Sequence, residues 1–140
     1  MNSEQIEIVQ ASFKQVQPIA VDAARLFYSR LFEIDPSLRP MFRGDMDEQG
    51  RKLMQMIGVA VGSLRRLEQV LPAVEDLGRR HAGYGVRDGH YATVAAALLW
   101  TLEQGLGEAF TPEVRDAWAA MYELVSSAMK RGAAGIGQAA

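Results

Sequence analysis

The chain has 140 residues, of which 49% are hydrophobic and 23% charged, and a formal net charge of −2. These values fit one globular domain with a buried core, exclude a disordered chain, and make nucleic acid an unexpected partner. The sequence contains no cysteine, which rules out disulfides, thiolate-held zinc and iron–sulfur clusters.

The elements read as helices throughout. Ile6, Val9, Phe13 and Val16 recur three and four residues apart, the period of one helix face, with Ser3 placed to cap it. Pro18 ends or restarts that helix. Ala24, Phe27, Tyr28, Leu31 and Phe32 form the next stripe. Asp35-Pro36 reads as a cap followed by proline at the first helical position, and Pro40 keeps that helix short, ahead of Phe42. Arg43 to Glu48 is a polar loop.

A longer helix follows, with Gln49, Leu53, Met56, Ile57, Ala60 and Leu64 on one side. Pro72 is expected to open another, carrying Val74, Leu77, His81 and Tyr84, with Gly83 and Gly85 at its end. Asp88 can cap a helix holding Tyr91, Val94, Leu98 and Leu102, and Thr111-Pro112-Glu113 starts the last one. The fold class expected is all-α, with seven or eight helices. Residues 1–131 make the domain, and the Gly/Ala-rich 132–140 stretch, with little to bury, is expected to form a flexible tail. The opening MNSEQIEIVQ lacks the features of a signal peptide, and the apolar run from Tyr91 to Leu102 is shorter than the ~20 residues a bilayer requires. A cytoplasmic location without a membrane partner is therefore expected.

Few residues could carry chemistry. His81 lies on an apolar stripe, where an imidazole needs a partner because an unsatisfied buried polar group costs ~1–3 kcal/mol. Two readings stand: a core histidine bonded to a backbone carbonyl, or a metal ligand. His90 follows Gly89 near a helix start and reads as a capping or surface residue. Tyr28 and Gln49 are polar groups on apolar stripes, each readable as an ordinary core-edge or first-turn residue. No nucleotide-binding glycine fingerprint, phosphate loop, cysteine nucleophile or serine elbow occurs.

Five blocks carry a family resemblance: LFYSRLF (26–32), DPSLRPMF (35–42), EQGRKLM (48–54), LGRRHAGYGV (77–86) and HYATV (90–94). In this order and spacing they resemble the globin family over about residues 3–131. The resemblance is to single-domain bacterial globins and to the haem domain of flavohaemoglobins.

That resemblance implies helices around one haem b, with His81 as the iron ligand and Phe42 stacked on the haem. Tyr28 and Gln49 match the tyrosine and glutamine over the ligand-binding face, and Leu53 the apolar residue one turn beyond. Val86, Tyr91 and Val94 match positions packing the His81 side, and Lys52 or Arg51 could reach a propionate. The implied function is reversible binding of O2, with CO and NO as further ligands, stabilised by hydrogen bonds from Tyr28 and Gln49.

The alternative is nitric-oxide dioxygenation, which needs an external reductase because no flavin or nicotinamide domain is seen. No catalytic side chain is expected, and either a monomer or a homodimer is compatible. Flavohaemoglobins place a glutamate against the iron-ligating histidine. The matching position here is Ala133, which leaves His81 closer to a neutral ligand, with Tyr91 as a group near it. A third reading, a globin that has lost haem and serves as an interaction module, is opposed by His81, Phe42, Tyr28 and Gln49 occurring together.

Overall fold

The computed structural model describes residues 1–42 and 44–138, with side chains through residue 134. Among the described residues there are six α-helices: α1 (Ser3–Val16), α2 (Ala20–Ile34), α3 (Met46–Gly62), α4 (Leu67–Gly83), α5 (Asp88–Leu106) and α6 (Pro112–Gln138). Short 3-10 segments join several of them, and no strand occurs among these residues. The all-helical class is as expected, while the number of α-helices falls below the seven or eight anticipated. One reason is chemical: Pro36 and Pro40 remove two amide donors from a six-residue stretch, so Pro36–Met41 closes only 3-10 turns.

Helix starts follow cap chemistry closely. Asn2, not Ser3, caps α1: its Oδ1 accepts from the Gln5 amide at 2.8 Å, and Gln5 Oε1 accepts from the Asn2 amide at 3.1 Å. Asp35 Oδ1 accepts from the Ser37 amide at 3.1 Å, as its place before Pro36 suggested. Asp45 Oδ1 accepts from the Asp47 amide at 3.0 Å, so α3 begins within the expected polar loop. Arg43 of that loop lies outside the described residues. Arg87, not Asp88, precedes α5, and its amide donates to His90 Nδ1 at 2.9 Å, which makes His90 a capping residue.

Two expected boundaries move. Helix α4 begins at Leu67, so Pro72 lies inside the helix instead of opening it, at the cost of a helical hydrogen bond near the start. Helix α6 continues to Gln138, past the expected boundary at 131/132, and Gly132 is buried. Residues 139 and 140 lie outside the described residues.

The core forms where α1, α5 and α6 meet. Trp118 is 1% exposed and its ring lies 6.3 Å from that of Phe13. Its indole N–H donates to Ser12 Oγ at 2.8 Å, and the Ser12 hydroxyl donates to the Ile8 carbonyl at 2.8 Å. This chain satisfies polar groups that would otherwise cost ~1–3 kcal/mol each when buried. Val9, Val16, Leu102, Ala117 and Met121 complete this layer.

The attachment of α3 and α4 positions the site. Helix α2 packs on α5 and α3, whereas α4 packs on α6. Consecutive helices α3 and α4, joined by the Leu64–Arg66 turn, are thus held by different parts of the molecule. Both keep incompletely buried apolar side chains: Leu53, Met54 and Ile57 on α3, and Val74 and Leu77 on α4, with Val59 66% exposed. Among the described residues no helix is long and apolar enough to cross a membrane.

Candidate functional site

Tyr28, Phe42 and Gln49 come together. Tyr28 is buried on α2, with the Phe27 ring at 5.1 Å, Phe42 at 5.2 Å and Phe32 at 6.1 Å. Edge and offset contacts of this kind add to the burial of the rings themselves. Phe42 reaches Tyr28 because the 3-10 segment turns the chain back onto α2, where Phe42 also meets Phe32 at 5.6 Å. The Tyr28 hydroxyl donates to the backbone carbonyl of Gln49 at 3.4 Å. Helix α3 can lie this near α2 because residue 50 is glycine: a Cβ there would stand 2.8 Å from that of Ala24. An exposed pair, Arg25 with both Asp47 carboxylate oxygens at 3.1 Å, ties the first turn of α3 to α2. That hydrogen bond raises the Arg25 pKa and lowers that of Asp47, but solvent screening keeps its contribution small.

Burial pushes the Tyr28 hydroxyl up from 10.0 to about 12, so it is a neutral donor at physiological pH. In the window from pH 10 to about 12 the unfolded chain releases this proton while the folded chain retains it, so stability falls as pH rises. A rise of that size corresponds to about 3 kcal/mol. A spectrophotometric alkaline titration of the wild-type chain minus Tyr28→Phe is expected to show no ionisation from Tyr28 below about pH 11. Tyrosinate absorbance from this residue near pH 10 would contradict the buried placement.

His81 occupies the last turns of α4 and is half-buried. Its Nδ1 lies 2.8 Å from the carbonyl of Leu77, one helical turn back. A carbonyl can only accept, so the proton resides on Nδ1 and the Nε2 lone pair is left for another partner. The backbone reading of the buried histidine is therefore correct for one nitrogen and compatible with metal ligation by the other. The His81 carbonyl in turn accepts from the Val86 amide at 3.1 Å, which folds Val86 back against the end of α4. The two halves of the site meet here, since a Cβ on Gly85 would lie 3.9 Å from the methyl carbon of Met41, the neighbour of Phe42.

Tyr91 is buried on α5, with the Lys130 ammonium 5.4 Å from its ring centroid. Its carbonyl accepts from the Tyr122 hydroxyl at 2.6 Å. Burial raises the pKa of both phenols, aided by the charge of Asp88 at Tyr91 and by Tyr91 at Tyr122. Tyr122, Met41 and Gly85 did not stand out in the sequence as site residues. Leu53 and Val94 pack partly buried against the core. Lys52 and Arg51 are exposed, and Arg51 lies 3.9 Å from Glu48. Among the described residues no group of three or more His, Asp or Glu side chains could hold a metal ion.

A family model described as Globin matches residues 25–129. The chain belongs to the globin family. Neuroglobin of Tetraodon nigroviridis is 31% identical to it, over 94% of this chain and 92% of the relative. A solved bacterial globin from Campylobacter jejuni superposes with a TM-score of 0.85 at 25% identity, covering 98% of this chain and 99% of that one. A carbene transferase engineered from a protein assigned as a nitric oxide dioxygenase in Rhodothermus marinus superposes with a TM-score of 0.88, covering 99% and 97%, at 22% identity. The solved neighbours thus include a bacterial globin, as the blocks suggested, while the curated sequence relatives include vertebrate neuroglobins. Membership places this globin among proteins that bind small gases through haem.

Proposed function

We propose that this globin holds haem b through His81 Nε2 and binds O2 reversibly, with Tyr28 and Gln49 donating hydrogen bonds to the ligand. The observation that carries the reading is the 2.8 Å bond between His81 Nδ1 and the Leu77 carbonyl, which fixes the tautomer an iron ligand needs. Half-buried Leu53, Ile57, Val74 and Leu77 supply apolar surface for a porphyrin to cover, and Phe42 an aromatic face. Val86, Tyr91 and Val94 serve as the His81-side wall, and Lys52 as the exposed partner for a propionate. When bound, the haem supplies an iron with one open position for O2, CO or NO. Tyr28 supplies a neutral hydroxyl at a buried point, and its packed ring keeps that hydroxyl oriented.

Among the described residues the hydrogen bond of the His81 ring goes to a backbone carbonyl. Ala133, half-buried on α6, offers no carboxylate. A carbonyl partner leaves the imidazole less electron-donating than a carboxylate does, which favours ligand binding over cleavage of an O–O bond. Nitric-oxide dioxygenation would need electrons from a flavin- or nicotinamide-bearing partner.

The test is spectroscopic and kinetic. Purified chain with haem is expected to give a histidine-ligated Soret spectrum that cycles reversibly with O2 and forms a CO adduct. With a cellular reductase it is expected to consume NO for no more than about one turnover. Sustained NO consumption would replace oxygen binding with dioxygenation, and absence of a Soret band would end the haem reading.

A further inference from the structure

We infer that Gly78 and Gly132 are positioning residues for His81: they let the backbones of α4 and α6 touch, and that contact sets where α4 carries the imidazole. The inference rests on the haem reading above. A Cβ built on Gly78 would collide with the backbone carbonyl of Met129, and one on Gly132 with the backbone carbonyl of Glu75. Both glycines are buried. The contacts are reciprocal. Residues 75 and 78 on α4 meet 132 and 129 on α6, so the two helices run in opposite directions and each glycine receives a carbonyl of its partner. Contacts between Cα–H groups and carbonyl oxygens are favourable at such crossings. Any side chain larger than hydrogen must part the helices or displace backbone, which cannot rotate away as a side-chain end can. The Arg131 guanidinium, 3.7 Å from the Glu75 carboxylate, flanks the same crossing.

The crossing bears on His81 through one helical turn. Leu77, whose carbonyl holds His81 Nδ1 at 2.8 Å, is the residue before Gly78. A displacement of the α4 backbone at 77–78 therefore moves the acceptor and the imidazole together. Helix α4 has little else to fix it. It contains Pro72 and Gly78, both poor in helix interiors, and it packs chiefly on α6. Its place is set by the surface it lies on, and at the glycine pair that surface leaves no room for a Cβ. Two residues remote from the ligand-binding face thereby tune the iron–histidine bond.

The experiment is Gly132→Ala in the haem-loaded chain, read by the iron–histidine stretching band of the ferrous form and by the rate of haem loss. Gly132 lies on α6, which contributes none of the proposed haem-lining residues, so a change at the iron reports movement of α4. The expected result is a displaced band and haem loss faster by about tenfold or more. Val9→Ala, a core substitution on α1, is expected to lower Tm without displacing the band, which separates positioning from general loosening. Should Gly132→Ala yield no folded protein, Glu75→Gly loosens the α4 backbone that carries this carbonyl without adding an atom and is expected to displace the band in part. An unmoved band in the folded Gly132→Ala chain, or in Glu75→Gly where the former fails to fold, overturns the inference. A wild-type chain that takes up no haem overturns the functional reading and this role with it, whereas a chain that loads haem normally but ignores these substitutions overturns the positioning role alone.

Discussion

Replacing His81 with glycine is expected to abolish stable haem retention, and free imidazole is expected to restore it. The two ring nitrogens have different roles. Nδ1 is committed to the Leu77 carbonyl at 2.8 Å, so the wild-type ring presents Nε2 in one orientation before any haem arrives. Removing the ring deletes the ligand and leaves the Leu77 carbonyl without this partner. The second histidine cannot take over, because His90 Nδ1 accepts the Arg87 amide at 2.9 Å and serves as the cap of α5. Loss of an outer-shell partner typically costs about 10–100-fold in affinity, and loss of the ligand itself should exceed that. Apolar contacts alone can still gather haem, so the measurement that decides is the ferrous spectrum with and without imidazole, together with transfer of haem to an apo-globin acceptor. A His81→Gly chain that keeps the wild-type ferrous spectrum without imidazole would assign the iron to another side chain.

How much of this was legible beforehand differs from residue to residue. Helical periodicity was legible because each apolar face repeats within a few residues, and the stripes of α1, α2 and α5 all include side chains now buried. One proline departs from its usual place. Pro72 reads as a helix start by its usual preference, but α4 begins at Leu67 and carries Pro72 inside it. His81 keeps two meanings in the sequence because spacing gives a face and not a bond; the Leu77 carbonyl engages Nδ1 and leaves Nε2 open to the second reading. The crossing of α4 and α6 was the least legible. Its partners lie far apart in the chain, and composition treats the glycines after residue 131 as having nothing to bury. Gly132 is buried because it has no side chain, letting the Glu75 carbonyl come close. Lack of bulk reads as a tail in one dimension and as a fit in three.

Tyr28→Phe is expected to speed O2 dissociation by about 10–100-fold while leaving the CO rate within about twofold. The hydroxyl is available for this work. Its bond to the Gln49 carbonyl is 3.4 Å long, well beyond the usual O–H···O distance of about 2.7–2.8 Å, so it forgoes little by turning to a better acceptor. Its pKa of about 12 keeps it protonated, and therefore donating, at any physiological pH. The ring would stay in place after substitution, because Phe27 at 5.1 Å and Phe42 at 5.2 Å hold it from neighbouring segments and phenylalanine fills nearly the same volume. What changes is one donor. A hydrogen bond to an acceptor bearing charge contributes about 1.5–3 kcal/mol, and 1.4 kcal/mol is a factor of ten. Oxygen draws negative charge when held by ferrous iron, whereas CO remains nearly apolar, so the two gases separate hydrogen bonding from a simple opening of the pocket. If both gases leave faster by the same factor, the substitution has widened an exit route. If O2 dissociation stays within about twofold, Tyr28 is a packing residue, and stabilisation of the ligand must be sought at Gln49, by the same pair of rates in Gln49→Leu.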